Sequence, residues 1–320
     1  MKIFLPNSAD LRNITGFLKQ FDPEEPDKLV FSMHPRFVAV HPVVLAMTAC
    51  LAEMVHSRGG VVEGEVANVA SLPYMIRMRL FEFLRIDPKR AIREHDESGR
   101  FIPITQIQTT DDLKAAITDL VPLLHASAEV SDPIRYVFSE MVRNALEHAQ
   151  SEVGVFVCAQ YYPDSGRVAI GIADAGQGVL GSMSRFHQVE SDRSAIALAL
   201  QPGISGATSK IGGNEFNAGA GLFFTKSIAT LSRNWFFLYS GSSMFRLMRT
   251  PKSQMPALQA DPLKDPHKFA EVSPWPGTVV AMDFSVEGGV EFEELLTKIQ
   301  EAYHIDVRHK KDYAKKIRFS

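Results

Sequence analysis

Four short clusters in the second half of the chain carry the side chains that chemistry would need. They are Glu140-Met-Val-Arg-Asn144-Ala-Leu-Glu-His148, Asp174-Ala-Gly176-Gln-Gly178, Gly219-Ala-Gly221-Leu and Gly277-Thr278. Glu140, Asn144 and His148 lie four apart, so a helix would set them on one polar stripe. The Asn144 amide oxygen is a hard ligand suited to magnesium (Mg2+), which keeps several waters and needs few protein oxygens. One turn earlier, the Glu140 carboxylate is placed to take a proton from an attacking water or hydroxyl. Asp174, at a strand end, offers an acceptor to an exocyclic amine such as that of adenine. Gly176 and Gly178 would let the backbone pass close to a flat ring. Gly219 and Gly221 precede a helix, whose N-terminal N–H groups favour phosphate. Lys210 supplies a point charge for a terminal phosphate, and Thr278 a hydroxyl to support Asp174 or a bound water. His148 reads equally well as a satisfied surface histidine or as a phosphate contact. Each cluster alone is ordinary, a solvated helix face or a turn. Their order in one chain makes a magnesium-ATP site the first reading.

The elements that must position these residues follow from periodicity. Ser131-Asp132-Pro133 predicts a helix start, with apolar residues at 134, 137, 138, 141, 142, 145 and 146. Val153–Tyr162 and Val168–Ala173 predict strands joined by a Pro163–Arg167 turn. Residues 182 to 220 are rich in Ser, Gly and Ala and predict a lid or a disordered excursion. Leu222–Leu231 predicts a helix; Trp235–Tyr239, Met244–Met248 and Thr278–Phe284 predict strands; Glu291–Tyr303 predicts a last helix. Upstream, residues 1–97 read as a smaller α/β unit. Leu29–Met33 and Val61–Val69 would be its strands. A helix would run from His41-Pro42 to about His56, stopped by Gly59-Gly60, and another would start at Pro73. Residues 98–112 read as a linker, followed by a helix from Asp111 or Asp112 to about His125, kinked at Pro122.

The chain has 320 residues, 45% hydrophobic and 22% charged, with a formal net charge of -3. That length suits two domains, and the charge balance argues against nucleic-acid binding. Cys50 and Cys158 sit in apolar runs and read as buried core thiols. No signal peptide is legible at the N-terminus. The apolar run Val43–Ala52 is far shorter than the roughly 20 residues that span a bilayer. The expectation is a cytoplasmic location without membrane insertion. His95-Asp96 sits in a polar stretch that reads as loop rather than as a phospho-acceptor helix. The basic residues of Arg308–Lys311 and Lys315-Lys316 read as a solvated tail.

The four clusters resemble the GHKL superfamily, the ATP-binding domains of gyrase, heat-shock chaperones, histidine kinases and mismatch-repair proteins. The resemblance covers roughly residues 113–285. It implies Glu140 as base, Asn144 as magnesium ligand, Asp174 on adenine, and Gly176, Gly178, Gly219 and Gly221 in two glycine boxes around a lid. It also implies a two-layer α/β sandwich, the Bergerat-type fold: one mixed sheet with helices on one face. Asn144-Ala-Leu-Glu-His148 looks most like histidine kinases and anti-sigma serine kinases, although Phe223 stands where a further glycine is common. Residues 1–97 resemble, more weakly, a STAS domain, with Val40-His41-Pro42 in place of its Asp-Ser-Ser. That implies a docking or regulatory unit and a STAS-like or other protein partner. A homodimer is compatible. Two function classes follow: an ATPase or serine/threonine protein kinase, or a nucleotide-gated interaction switch with negligible hydrolysis.

Overall fold

A computed structural model describes residues 1–20, 27–91, 101–124, 128–212, 221–285 and 292–318. The first unit runs β1 (Lys2–Leu5), β2 (Ser8–Ala9), α1 (Thr15–Leu18), β3 (Lys28–Met33), β4 (Ala39–Val40), α2 (Pro42–Ser57), β5 (Val61–Gly64), α3 (Leu72–Arg77) and α4 (Leu80–Leu84). The second runs β6 (Phe101–Ile107), α5 (Thr110–Leu124), α6 (Ala128–His148), β7 (Val155–Tyr162), β8 (Arg167–Asp174), α7 (Gly178–Met183) and α8 (Asp192–Ala199). It continues with α9 (Gly221–Leu231), β9 (Trp235–Leu247), β10 (His267–Ser285) and α10 (Phe292–Arg318).

The fold is mixed α/β. Strands β1, β3 and β5 form a small parallel sheet in the order β1-β3-β5. The large sheet has the order β6-β7-β8-β10-β9, and every pairing in it is antiparallel, not mixed. Residues 101–107, expected in a linker, are its edge strand. Pro103 is tolerated there because an edge strand can lack one ladder donor, and the register shifts between Ile102 and Thr105.

Strand period two divides the sheet between two cores. Val155, Val157, Phe236, Leu238, Val280 and Met282 pack with α5, α6, α8, α9 and α10. Their sequence neighbours Phe156, Cys158, Phe237, Tyr239, Val279 and Ala281 pack with the first unit. Helices therefore cover both faces, where one covered face was expected. The helix on the second face is α2, which is apolar nearly all round and buried from Pro42 to Ala52, so it lies between the two sheets. Its start comes so close to β8 that a Cβ at Gly171 would stand 2.2 Å from Val43 Cα.

His41 caps α2. Its Nδ1 accepts the Val43 N–H at 3.1 Å, so Nε2 carries the proton and donates to Asp283 Oδ1 at 3.1 Å. Arg167 Nη1 donates to the other Asp283 oxygen at 2.8 Å. Burial pushes the Asp283 carboxyl up, but the bonds from His41 and Arg167 outweigh it and hold the group below the usual carboxylate range. Cys158 Sγ donates to Pro42 O at 2.9 Å, and both cysteines are free and buried.

Several expected boundaries move. Helix α6 begins at Ala128, so Pro133 lies inside it rather than at its start. The helix expected from Pro73 divides at Arg79, which holds φ of 59°. The strand expected over Val61–Val69 stops at Gly64. One strand, β9, replaces the two expected over 235–248. Helix α10 extends to Arg318, so the basic tail is helical; Lys310 Nζ donates to Pro202 O at 3.1 Å and to Gln201 Oε1 at 3.2 Å. His95-Asp96 lies outside the described residues. No helix among the described residues is long and apolar enough to cross a membrane.

Candidate functional site

Asp174 ends β8, the central strand, and is 2% exposed. Its Oδ1 accepts two backbone N–H groups, from Gly176 at 2.9 Å and from Thr278 at 3.2 Å. Its backbone carbonyl accepts the Trp275 indole N–H at 2.8 Å. Burial pushes the carboxyl up to about 7, against the two N–H bonds that lower it. Oδ2 makes no hydrogen bond among the described residues.

The chain turns after Asp174 because three glycines permit contacts that a side chain would block. A Cβ at Gly176 would lie 2.0 Å from Ala149 O, and the Gln177 N–H donates to that carbonyl at 2.7 Å. The Gln177 side-chain amide donates to His148 O, so the turn is clasped to the C-terminal end of α6. Gly178 holds φ of 70°. Gly277 sits in a bulge of β10, and a Cβ there would come within 2.2 Å of Asp174 O. Ser240 joins the two turns: its hydroxyl accepts the Val179 N–H at 2.8 Å and donates to Gly277 O at 2.7 Å.

A cleft of about 120 Å³ opens beside this turn. Asn144, His148, Asp174, Gly178, Gly221 and Thr278 line it together with apolar Met141, Ile172, Val179 and Val280. The structure thus brings six of the expected residues to one cavity. Gly176 stands behind it as part of the turn. Glu140 stands at its edge: a Cβ on Gly221 would meet Asn144 Nδ2 at 2.8 Å and Glu140 Oε2 at 3.0 Å. Gly221 is therefore the residue that lets the N-terminus of α9 close on the Glu140–Asn144 stripe. Glu140 is engaged by Arg143 in an ion pair one turn along α6, a contact whose i,i+3 spacing was readable in the sequence. His148 lies at the Asp174 end of the cleft, and burial lowers its imidazole pKa, outweighing the nearby Glu147 carboxylate that raises it.

Lys210 is exposed and does not line the cleft. Gly219 lies outside the described residues. Among the described residues no three His, Cys, Asp or Glu side chains converge as a metal cage.

Residues 184–212 are built, not a free excursion, and residues 213–220 lie outside the described residues. Ser191 and Ser194 form a reciprocal capping box that starts α8. Asp192 Oδ2 accepts from the Ser242 N–H at 2.9 Å and hydroxyl at 3.0 Å, tying α8 to β9. The segment then returns to the cleft, where Ile204, Ser205 and Gly206 form its outer wall. Ser240, Trp275 and Gln177 were not singled out in the sequence, because a serine, tryptophan and glutamine at these spacings carry no local signature. Searches of the sequence against family models and curated proteins find no match.

Proposed function

We propose that the chain is a magnesium-ATP-binding protein of the GHKL type, with the Asp174 cleft as the nucleotide site. The observation that carries this reading is the convergence of Asn144, Asp174, Gly178, Gly221 and Thr278 on one cavity from α6, β8, α7, α9 and β10. Asp174 has one oxygen engaged by backbone N–H groups and a second to accept an exocyclic amine. Met141, Ile172, Val179 and Val280 would flank a flat base. At about 120 Å³ the cleft is smaller than the roughly 300–1,000 Å³ of most ligand sites. It would take the base end, and the wall around Ser205 would withdraw for the phosphates. Those would run toward Gly221, where α9 presents its N-terminal N–H groups.

Magnesium would be held by the Asn144 amide oxygen together with phosphate oxygens and water, neutralising charge on the phosphates. Glu140, one turn before Asn144, would orient or deprotonate the acceptor, in an ATPase or a serine/threonine protein kinase. The Glu140–Arg143 ion pair favours a second reading, a nucleotide-gated switch whose base is engaged until a partner frees it. In either case the Bergerat-type sandwich would comprise the large sheet and the helices α5, α6 and α9. The first unit keeps a STAS-like strand–helix–strand order, but α2 is buried against the large sheet. We therefore assign that unit to holding the sheet, with docking of a protein partner left to its outer surface. A cytoplasmic location fits an ATP-dependent regulator, and a homodimer is a compatible assembly.

Calorimetric titration with ATP and magnesium tests the binding reading, which fails if no saturable heat is seen. Glu140→Gln should keep ATP affinity and lose release or transfer of labelled phosphate. Turnover equal to the parent would remove Glu140 as base.

A further inference from the structure

The outer wall of the Asp174 cleft belongs to a closed loop, and the last helix holds that loop by its neck. Ile204, Ser205 and Gly206, which form the wall, lie between Gly203 and Gly212. The Gly212 N–H donates to Gly203 O at 2.9 Å, which closes the loop on itself. Both glycines are left-handed, with φ of 76° and 85°, a conformation that strains other residues. Within the loop, the Ala207 N–H donates to Ser205 Oγ at 3.1 Å and the Lys210 N–H to Thr208 Oγ1 at 3.1 Å, so it can move as one piece. One tie joins the wall to the chain after α7: His187 Nε2 donates to Ser205 O at 2.8 Å.

Helix α10 meets the neck. Its buried residues Leu295, Ile299, Tyr303 and Val307 fall four apart and form one stripe. The Tyr303 ring lies 6.2 Å from that of Phe223 and 5.9 Å from that of Phe224, in the first turn of α9. One turn further, Val307 sits against both neck glycines. A Cβ at Gly203 would come within 2.6 Å of Val307 Cγ2, and one at Gly212 would stand 3.1 Å from both Val307 Cγ1 and Lys311 Nζ. Past Val307 the grip is polar. Lys310 Nζ donates to Gln201 Oε1 and Pro202 O, the two residues that lead into the neck, with the Asp306 carboxylate 3.1 Å away on its own helix. The Lys310 side chain is 26% exposed, so water can replace these acceptors. The end of α10 can then let go of the neck while Leu295, Ile299 and Tyr303 stay packed.

We propose that the end of α10 is an autoinhibitory strap. By holding the neck of the 203–212 loop it keeps the wall shut over the cleft, and its release lets the wall swing out on Gly203 and Gly212. The consequence for nucleotide rests on the ATP reading of the cleft. At about 120 Å³ the shut cleft would take a base but not a triphosphate. The strapped chain would therefore bind ATP only through its open fraction, and its apparent affinity would be reduced by that fraction.

The test uses the full chain carrying Lys310→Ala, with Lys298→Ala as the comparison. Lys298 is on the same helix and pairs with Glu294 of that helix. Hydrogen-exchange mass spectrometry without nucleotide should show exchange over residues 203–212 about tenfold faster in Lys310→Ala, which loses the charge-assisted bonds, and parental in Lys298→Ala. Titration with ATP and magnesium should show about tenfold tighter binding in Lys310→Ala than in the parent. Parental exchange in Lys310→Ala overturns the strap, as does equal opening of the loop in Lys298→Ala. Faster exchange with parental ATP affinity overturns its control of the cleft. If neither parent nor variant binds ATP, the nucleotide reading fails, and faster exchange in Lys310→Ala alone still upholds the strap.

Discussion

Substituting Asp174 by Asn should strengthen the fold while removing nucleotide binding. The Asn oxygen still accepts the Gly176 and Thr278 N–H groups that Oδ1 accepts now. What disappears is a carboxylate whose pKa burial raises from 3.8 to about 7. The folded value lies above the unfolded one, so the folded chain binds the proton more tightly between those values. Stability is therefore lost as the pH rises through that window and is flat above it. At about 1.4 kcal/mol per pKa unit, full ionisation costs at most about 4 kcal/mol. At pH 5 only about 1–2 kcal/mol of that cost is expressed, so the advantage of the Asn variant should widen by about 2–3 kcal/mol between pH 5 and pH 8. Paired urea denaturations of parent and variant across that range measure the gap directly, since other titrating groups cancel. A gap that stays constant, or that narrows as the pH rises, would refute the claim that Asp174 is desolvated in the folded chain. In the same variant the new amide NH2 would face the ligand's amine, donor against donor, and calorimetry should detect no ATP binding.

Three further outcomes follow. ATP affinity should fall about tenfold per pH unit well below pH 7, because the proton on Asp174 competes with the ligand's amine; calorimetry at pH 6 in two buffers should show proton release on binding. Gly171→Ala should destabilise the chain by about 1–3 kcal/mol, because the clash is with Val43 backbone and no side chain can move aside; denaturation midpoints and proteolysis between α2 and the sheet report it. Ser240→Ala should lose about 1–3 kcal/mol and weaken ATP binding, because Val179 N–H and Gly277 O are left unmatched in a buried turn.

The parts of this fold that were legible from sequence are those fixed by local chemistry. The β7–β8 hairpin announced itself through Pro163-Asp-Ser-Gly, and Gly166 does take the left-handed conformation there. Helix α2 was legible as a helix, and its nearly continuous apolar circumference from Pro42 to Ala52 held the further sign that this stretch would be covered on all sides. The clefted arrangement of Asn144, Asp174 and Thr278 was legible because each side chain sits in its own local signature. The remainder depended on tertiary partners. Strand β6 was hidden by Pro103, acceptable only because that strand turned out to be an edge. Helix α8 was hidden because its capping box uses Ser194 where a glutamate would be the usual cue. Ser240 and Trp275 act through bonds to residues at least 37 positions away in sequence, which no short pattern encodes.

The alternation of the large sheet between two cores has a consequence for modularity. Ala173 belongs to the core of the first unit, and the very next residue, Asp174, faces the cleft. Sensor and effector modules strung on linkers can be exchanged or truncated because neither supplies the other's interior. Here the first unit is the lining of the site's own scaffold. Cutting it away would leave Phe156, Phe237 and Tyr239 without cover. The two halves of this chain therefore fold as one body, and a core substitution in either is felt through the same sheet.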